Sequence, residues 1–249
     1  YSINVAASSL KRKNMSIGAI LPKPVGNNLY FFKDIWRGME QAALDFKSYN
    51  VKIIKKEYVG DYTDQIKAME SFYDQYKGQV SGIITHPWHE TKLDPILNKC
   101  ADAGIRCGLI MIDAPKSKRL FCVSPDPAEV GGMAGELMRY SIPSDGRVIV
   151  MGGKRASSIH QTIVLSFIKE LKRCKPDVET IEIYDYNAYY ENGRMRNILQ
   201  EYLTKFDNIR GIYSNSARGT VLLCEELESM GKSSAIHAIG TDIHRESVA

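Results

Sequence analysis

The chain has 249 residues, of which 33 are basic and 29 are acidic, so its net charge is +4. Hydrophobic residues make up 44% and charged residues 25%, a globular composition that excludes a disordered chain, a collagen-like repeat and a coiled coil. No apolar run approaches the roughly 18 residues of a membrane span, which predicts that the chain has no membrane partner. So small a net charge does not by itself indicate a nucleic-acid binder.

From residue 16 onwards, short apolar strands alternate with helices that carry one apolar face. In the first half, strands are predicted at 16–21, 51–59, 80–85 and 105–112. Helices are predicted at 32–48, from a cap at Asp61 or Thr63 to Tyr76, and at 91–103. In the second half, strands are predicted at 120–123, 147–151, 180–184, 209–214 and 235–240, with helices at 126–138, 157–173, 189–205 and 218–230.

Apolar strands separated by amphipathic helices are typical of parallel sheets that are covered on both faces. A polar stretch with a proline, at 114–119, separates the two halves and indicates a lobe boundary. The predicted fold is therefore α/β, with two doubly wound parallel-sheet lobes and a ligand cleft between them. We assign 14–113 and 243–249 to the N-terminal lobe, 114–242 to the C-terminal lobe, and 1–13 to a separate linker.

Ligands of such sheets collect at the carboxyl ends of the strands. The candidate binding residues are therefore those that follow each strand, at 23–32, 86–89, 113, 152–161, 185–190, 215–218 and 242. Aromatic side chains at these positions would stack on the apolar face of a sugar or nucleobase, while carboxylates and amides would bind its polar rim.

The sequence lacks the common motifs of catalysis: it contains no G-x-S-x-G elbow, no P-loop and no H-E-x-x-H. Glycines 131, 132 and 135 lie inside a helix pattern, which argues against a dinucleotide site. His86 and His89 follow one strand with no cysteine nearby, which disfavours a metal site. The five cysteines form no C-x-x-C pair and are expected to be free thiols in a reducing compartment. We therefore expect a binding protein without catalytic activity, cofactor or metal.

The first 13 residues read YSINVAASSLKRK, with Tyr1, Asn4, Ala7 and Leu10 preceding a basic cluster. A strand that starts with Ile17 and Gly18 follows. This order resembles the hinge helix of the lactose-repressor/galactose-repressor family of bacterial transcription regulators. Further matches to the family extend along the chain, at Phe31 and Phe32, Gly38, 81–84, Ile112 and Asp113, 123–131 and 239–242.

The resemblance implies a cytoplasmic homodimer that regulates transcription, with a helix-turn-helix domain expected upstream of residue 1 and a further strand–helix–strand stretch after Asp242. Leu10 would insert into the minor groove of operator DNA as a wedge. Lys11 and Arg12, within the cluster 11–13, would contact DNA phosphates. The helix at 32–48 would form the dimer interface.

The resemblance also implies where the effector binds. Sugar-binding members place an arginine on a helix where this chain has none, so His160 or Gln161 is expected to take its role. Asn215 matches a family asparagine, and Asp113 and Asp242 are retained. Two carboxylates suit a neutral, hydroxyl-rich ligand, and a sugar is therefore the predicted effector. The complete set of predicted ligand-binding residues is Phe31, Phe32, His86, Asp113, His160, Gln161, Tyr186, Asn215 and Asp242.

A periplasmic or lipid-anchored sugar-binding protein of a transporter is the alternative, because such proteins share the two-lobe architecture. The two hypotheses differ in what precedes residue 1: a helix-turn-helix for the regulator, a signal peptide for the transport protein. The hinge-like segment 1–13 and the unpaired cysteines favour the regulator.

Overall fold

The computed structural model describes residues 15–25 and 29–242, without the side chains of residues 29 and 30. The chain divides into two compact units, with the boundary between Ser124 and Pro125. Each unit contains one parallel sheet with helices, and the predicted α/β fold with two parallel-sheet lobes is confirmed. Within 15–25 and 29–242, none of the helices is long and apolar enough to cross a bilayer.

The first unit contains five parallel strands in the order β2-β1-β3-β4-β5. In chain order its elements are β1 (Met15–Pro22), α1 (Leu29–Asp45), β2 (Val51–Tyr58), α2 (Tyr62–Tyr76), β3 (Gly82–Thr85), α3 (Asp94–Asp102), β4 (Arg106–Ile110) and β5 (Phe121–Val123). Successive residues of β1 point to opposite faces of the sheet. Ile20 packs with α2 and α3, while Ala19 and Leu21 pack against Phe32 and Trp36 of α1. Both faces of this strand are therefore buried.

The second unit contains four parallel strands in the order β7-β6-β8-β9. Its elements are α4 (Pro127–Ser141), β6 (Arg147–Met151), α5 (Ser158–Cys174), β7 (Glu179–Ile183), α6 (Arg194–Lys205), β8 (Ile209–Ser214), α7 (Ala217–Ser229) and β9 (His237–Gly240). In β6, Val148 and Val150 belong to the core beneath α4 and α5. Ile149 and Met151 belong to the core on the opposite face. The alternation seen in β1 is thus repeated here.

The boundary between the units corrects the predicted one at 113/114. Strand β5 pairs with β4, so the stretch 114–119 is a connection inside the first unit. The backbone N–H of Lys118 donates to Asn98 Oδ1 at 2.7 Å, which fastens this stretch to α3. A polar segment with a proline resembles a linker in sequence, and only the pairing of β5 reveals otherwise. Segments 1–13 and 243–249 lie outside the described residues.

The helix predicted at 189–205 begins later than expected. Tyr186–Tyr189 forms a short 3₁₀ turn, and α6 starts only at Arg194. Gly193 has φ = 74°, a left-handed conformation that interrupts the helical backbone and that glycine adopts without strain. The turn brings Tyr189 into the core, where it is fully buried.

Glycines allow α4 and α5 to pack closely. A Cβ atom at Gly131 would overlap the carbonyl oxygen of Ile163 and lie 3.0 Å from the backbone nitrogen of Phe167. Gly135, one turn later, would meet the carbonyl oxygen of Phe167 at 2.6 Å. Gly132, by contrast, has nothing within 4 Å of its Cβ position. The glycines predicted to lie inside a helix therefore do so, and two of them face a neighbouring backbone.

Gly131→Ala is expected to lower the free energy of unfolding by about 1–3 kcal/mol, because the added methyl group must push two backbones apart. Gly132→Ala is the matched control. It places the same methyl group in open space and should stabilise α4 by about 0.5–1 kcal/mol. Urea denaturation of both variants measures the difference, and equal stability of the two would contradict the close packing described above.

Candidate ligand-binding site

In the first unit, a buried glutamine holds the turn that follows β3. Gln65 on α2 donates from Nε2 to Thr85 Oγ1 at 2.9 Å and to the His86 carbonyl at 2.8 Å. Its Oε1 accepts the backbone N–H of Trp88 at 3.1 Å, and the Thr85 hydroxyl donates to the Ile20 carbonyl. Gln65 was not among the predicted site residues, although it is a polar residue on the apolar face of α2, beside Ala68, Met69 and Phe72.

His86 lies in this turn and is 7% exposed. Its Nδ1 is 3.2 Å from the Ile110 carbonyl, so the neutral ring donates its Nδ1 proton there. Burial lowers the pKa of His86 to about 4, although the Ile110 carbonyl opposes the shift. The imidazole is therefore uncharged at neutral pH and serves as a neutral polar group.

The predicted aromatic pair is divided between the surface and the core. Phe31 is 44% exposed, while Phe32 is 2% exposed and packs among Ala19, Leu21 and Trp36. The two rings meet edge to face at 5.0 Å, and His86 lies 6.1 Å from Phe31 and 5.4 Å from Phe32. Of the two, Phe31 offers the free face and Phe32 supports it from the core.

Asp113 follows β4 and is paired with an arginine. Its Oδ2 accepts from Arg119 Nη2 at 2.6 Å, and its Oδ1 accepts from Arg119 Nε and from the Ala114 N–H. The guanidinium of Arg119 holds the pKa of Asp113 below its usual range. Arg119 was absent from the predicted site. Its charge compensates that of Asp113, although the carboxylate keeps 40% of its side-chain surface exposed.

In the second unit, Asn215 joins the ends of β6 and β8. Its Nδ2 donates to the Gly152 carbonyl at 2.9 Å, and its Oδ1 lies 3.0 Å from the Tyr189 hydroxyl. That hydroxyl also lies 2.8 Å from the Met151 carbonyl. Asn215 is 7% exposed, so its amide is largely engaged in holding the strand ends. Only one N–H of the amide and part of its oxygen are left for a ligand.

The loop between β6 and α5 carries two cations over tyrosine rings. The ammonium of Lys154 is 4.6 Å from the centroid of Tyr186, and the guanidinium of Arg155 is 4.1 Å from that of Tyr184. The Tyr186 hydroxyl lies 2.9 Å from the Tyr190 hydroxyl, and burial raises the pKa of Tyr186. Tyr186 was a predicted ligand residue, whereas both cations were outside the predicted set.

His160 and Gln161 support this same loop from the start of α5. The backbone N–H of Lys154 donates to His160 Nδ1 at 2.9 Å, so the neutral ring carries its proton on Nε2. Burial, assisted by the charge of Lys154, lowers the pKa of His160. The Gln161 amide donates to the Arg155 carbonyl. His160 thus has a free donor to offer, while Gln161 is partly engaged in the loop.

Asp242 follows β9 with φ = 70°, a conformation uncommon for a residue with a side chain. Although the residue stays accessible to solvent, neighbouring protein atoms partly desolvate its carboxyl group and raise its pKa. The Ala217 N–H opposes this shift by hydrogen bonding. Next to it, Thr241 Oγ1 lies 2.6 Å from the Tyr213 hydroxyl, which holds the end of β9 to β8.

Metal ligation is not indicated by these groups. Across 15–25 and 29–242, the His, Cys, Asp and Glu side chains form no cluster of three that could hold a metal ion. The predicted residues are instead gathered at the carboxyl ends of the strands, separately in each unit: Phe31, Phe32, His86 and Asp113 in the first, and His160, Gln161, Tyr186, Asn215 and Asp242 in the second. The predicted DNA contacts Leu10, Lys11 and Arg12 lie outside the described residues.

Residues 17–249 match the model of the periplasmic binding protein domain. The chain belongs to this family. No curated protein matches the chain. The periplasmic binding protein domain is also similar to solved structures of sugar-binding proteins, all at low sequence identity. The match establishes the periplasmic-binding-protein family and its fold. It does not establish that the protein is a regulator of the lactose-repressor type.

One similar structure is the sugar-binding protein of a sugar ABC transporter from Bacillus halodurans, with 21% identity and a TM-score of 0.81 over 94% of this chain and 76% of that chain. A second is AraP, an arabinose binding protein from Geobacillus stearothermophilus, with 19% identity and a TM-score of 0.78 over 94% of this chain and 77% of that chain. A third is the periplasmic ribose ABC transporter from Conexibacter woesei, with 18% identity and a TM-score of 0.79 over 94% and 75%. These similarities show that the periplasmic binding protein domain has the same fold as the three proteins.

The buried His86 should make this domain sensitive to acid. The unfolded chain binds a proton near pH 6.5, while the folded chain resists protonation until about pH 4. Stability from His86 is therefore complete above pH 6.5 and declines as the pH falls towards 4, by about 3 kcal/mol in all. Urea denaturation between pH 4 and 7 measures this slope.

His86→Gln should flatten the slope in that pH window, because glutamine does not titrate. His89→Gln is the matched control, since it removes an exposed imidazole from the same loop. A slope in His86→Gln as steep as in the wild type would show that His86 is not the titrating group.

Proposed function

We propose that this periplasmic binding protein domain binds a sugar, as the sugar-binding protein of a transporter. The observation that carries the proposal is the exposed face of Phe31 beside the neutral, buried His86 in a member of this family. Aromatic faces stack on the apolar face of a sugar ring, and neutral polar groups bind hydroxyls without the cost of desolvating a charge.

Polar groups at the strand ends of each unit are of the kinds that bind sugar hydroxyls. Asp113 offers carboxylate oxygens held in place by Arg119, and Asp242 offers a second carboxylate at the end of β9. His160 offers an Nε2 donor. Carboxylates accept from hydroxyls and imidazole N–H groups donate to them, so these residues complement a sugar that both donates and accepts.

The hydrogen bonds of the two histidines support a role in binding rather than in catalysis. The Nδ1 atoms of His86 and His160 are each engaged by backbone atoms, of Ile110 and Lys154 respectively. A general base also needs a hydrogen bond from its other ring nitrogen to a nucleophile, and within the described residues neither Nε2 atom has one to a serine, threonine or cysteine side chain. The similar structures are named as sugar-binding or transporter proteins, which supports the same conclusion.

A ligand-gated transcription regulator of the lactose-repressor type is the second candidate. The hinge-like sequence of residues 1–13, with Leu10, Lys11 and Arg12, favours it. In that case the protein would be a cytoplasmic homodimer that binds operator DNA. Reading the gene upstream of Tyr1 distinguishes the two, since a helix-turn-helix supports the regulator and a signal peptide supports the transport protein.

Phe31→Ala should weaken sugar binding about tenfold, because the ligand loses its stacking surface. Phe46→Ala is the matched control: Phe46 lies beyond the other end of α1 and is similarly exposed, at 54%. Isothermal calorimetry of both variants against a panel of mono- and oligosaccharides gives the affinities. If the two variants bind the sugar with equal affinity, Phe31 does not contact the ligand.

Asp242→Ala should weaken sugar binding by about ten- to a hundredfold, since a hydrogen bond to a charged group contributes roughly 1.5–3 kcal/mol. Asp145→Ala removes an exposed carboxylate that precedes β6, at the opposite edge of the sheet, and should bind like the wild type. Calorimetry with thermal melts as the fold control tests this. Unchanged binding by Asp242→Ala would show that its carboxylate does not contact the ligand.

A further inference from the structure

Three cations at the strand ends of the second unit lack a carboxylate partner among the described residues. Lys154, Arg155 and Arg218 are all exposed there. In the described part of the chain, none of the three forms an ion pair with a carboxylate. The nearby Asp185 is paired with Arg194 at 2.7 Å, and Glu182 accepts the Tyr184 hydroxyl at 3.1 Å. Asp185 therefore has a cationic partner of its own, whereas the neutral hydroxyl leaves Glu182 negatively charged.

Two of the cations are held in place. Lys154 and Arg155 are consecutive residues, and each lies over the face of a tyrosine that follows β7. Their backbone is held as well, because the Lys154 N–H donates to His160 and the Arg155 carbonyl accepts from Gln161. A positioned cation loses less conformational freedom on binding an anion than a free one does. This loop therefore has the properties of a preformed anion-binding element.

Neighbouring groups favour negative charge at the same edge of the sheet. Helices α5 and α7 both begin there, capped by Ser157 and Ser216, and neither has an acidic residue in its first turn. At the start of α7 the Asp242 carboxyl group accepts the Ala217 N–H, so among the described residues only the positive end of the α5 dipole lacks a nearby acidic side chain. The Nε2 proton of His160 adds one more donor.

The carboxylates that would oppose an anion are fewer than the sequence suggests. The expectation of a neutral ligand rested on two free carboxylates, at Asp113 and Asp242. Arg119 forms a two-pronged ion pair with Asp113, so the charge of that carboxylate is compensated within its own unit. Asp242 lies in the other unit with Lys154, Arg155 and Arg218, and its carboxyl group accepts the Ala217 N–H at the start of α7.

We propose that the ligand is an acidic sugar, whose phosphate or carboxylate group is bound by Lys154 and Arg155. This inference rests on the proposed sugar-binding function and replaces the neutral ligand expected from the sequence. Arg155 binds the anionic group with its planar fork of donors, and Lys154 with its point charge. The aromatic faces of Tyr184 and Tyr186 hold the two cations in position.

Calorimetry with matched sugars tests the inference. Glucose and galactose are compared with their 6-phosphates and with glucuronate and galacturonate. One acidic form should bind at least tenfold more tightly than its neutral parent, and its affinity should fall as salt rises from 50 to 500 mM. The phosphate and uronate arms distinguish the two sources of negative charge.

The double variant Lys154→Gln/Arg155→Gln should lose about ten- to a hundredfold in affinity for the acidic sugar and keep its affinity for the neutral one. Lys169→Gln/Lys172→Gln is the matched control. It removes the same net charge from exposed positions further along α5 and should bind like the wild type. Thermal melts confirm that each variant is folded.

The outcomes of these measurements separate the acidic-sugar inference from the proposed sugar-binding function. A neutral sugar that binds as tightly as its acidic form overturns the inference and leaves the proposed function standing. An acidic preference that survives in Lys154→Gln/Arg155→Gln also overturns it, because the anionic group would then bind elsewhere. If no sugar in the panel binds, the proposed function fails together with the inference.

Discussion

Burial of the central strands on both faces is the constraint on which each unit depends. Ile20 of β1 faces one core while Ala19 and Leu21 face the other, and the valines and isoleucine of β6 divide in the same way. A strand covered on both faces has no solvent-facing side chains along its length. Polar and charged groups that serve a ligand must therefore lie in the segments beyond the strand ends, and they do so in both units.

In the segments beyond the strand ends, backbone N–H and C=O groups have no hydrogen-bond partner in the sheet. In each unit, one buried amide side chain supplies hydrogen bonds to some of these groups. Gln65 binds the turn after β3 through its donor and its acceptor, and Asn215 does the same between β6 and β8. A buried polar group without its hydrogen bond costs about 1–3 kcal/mol, so these amides stabilise the fold while they position the site. Gln65 therefore holds the turn with His86, and Asn215 holds Gly152 at the start of the loop with Lys154.

What the sequence predicts well is local, and what it misses is not. The alternation of apolar positions along β1 and β6 is visible in consecutive residues, which is why the fold class follows from the pattern. The membership of β5 in the first sheet depends on its pairing with β4, which no property of 114–119 reveals. The compensation of Asp113 by Arg119 likewise requires the chain to turn back over six residues. The predicted site residues therefore lie at the carboxyl ends of the strands. Whether each of their polar groups is free or hydrogen-bonded depends on partners that are distant in sequence and close only in the fold.

Neutral histidines make the charge of these strand ends independent of pH near neutrality. The pKa values of His86 and His160 both lie below the usual range, because burial disfavours the imidazolium form. The fixed charges there are consequently those of Lys154, Arg155, Arg218 and the carboxylates. In the first unit Asp113 is matched by Arg119, and in the second unit the three cations are opposed by Asp242 and Glu182. A raised pKa at Asp242 weakens the negative side of this balance further as the pH falls, so acidification makes the strand ends of the second unit more positive and more favourable to an anion.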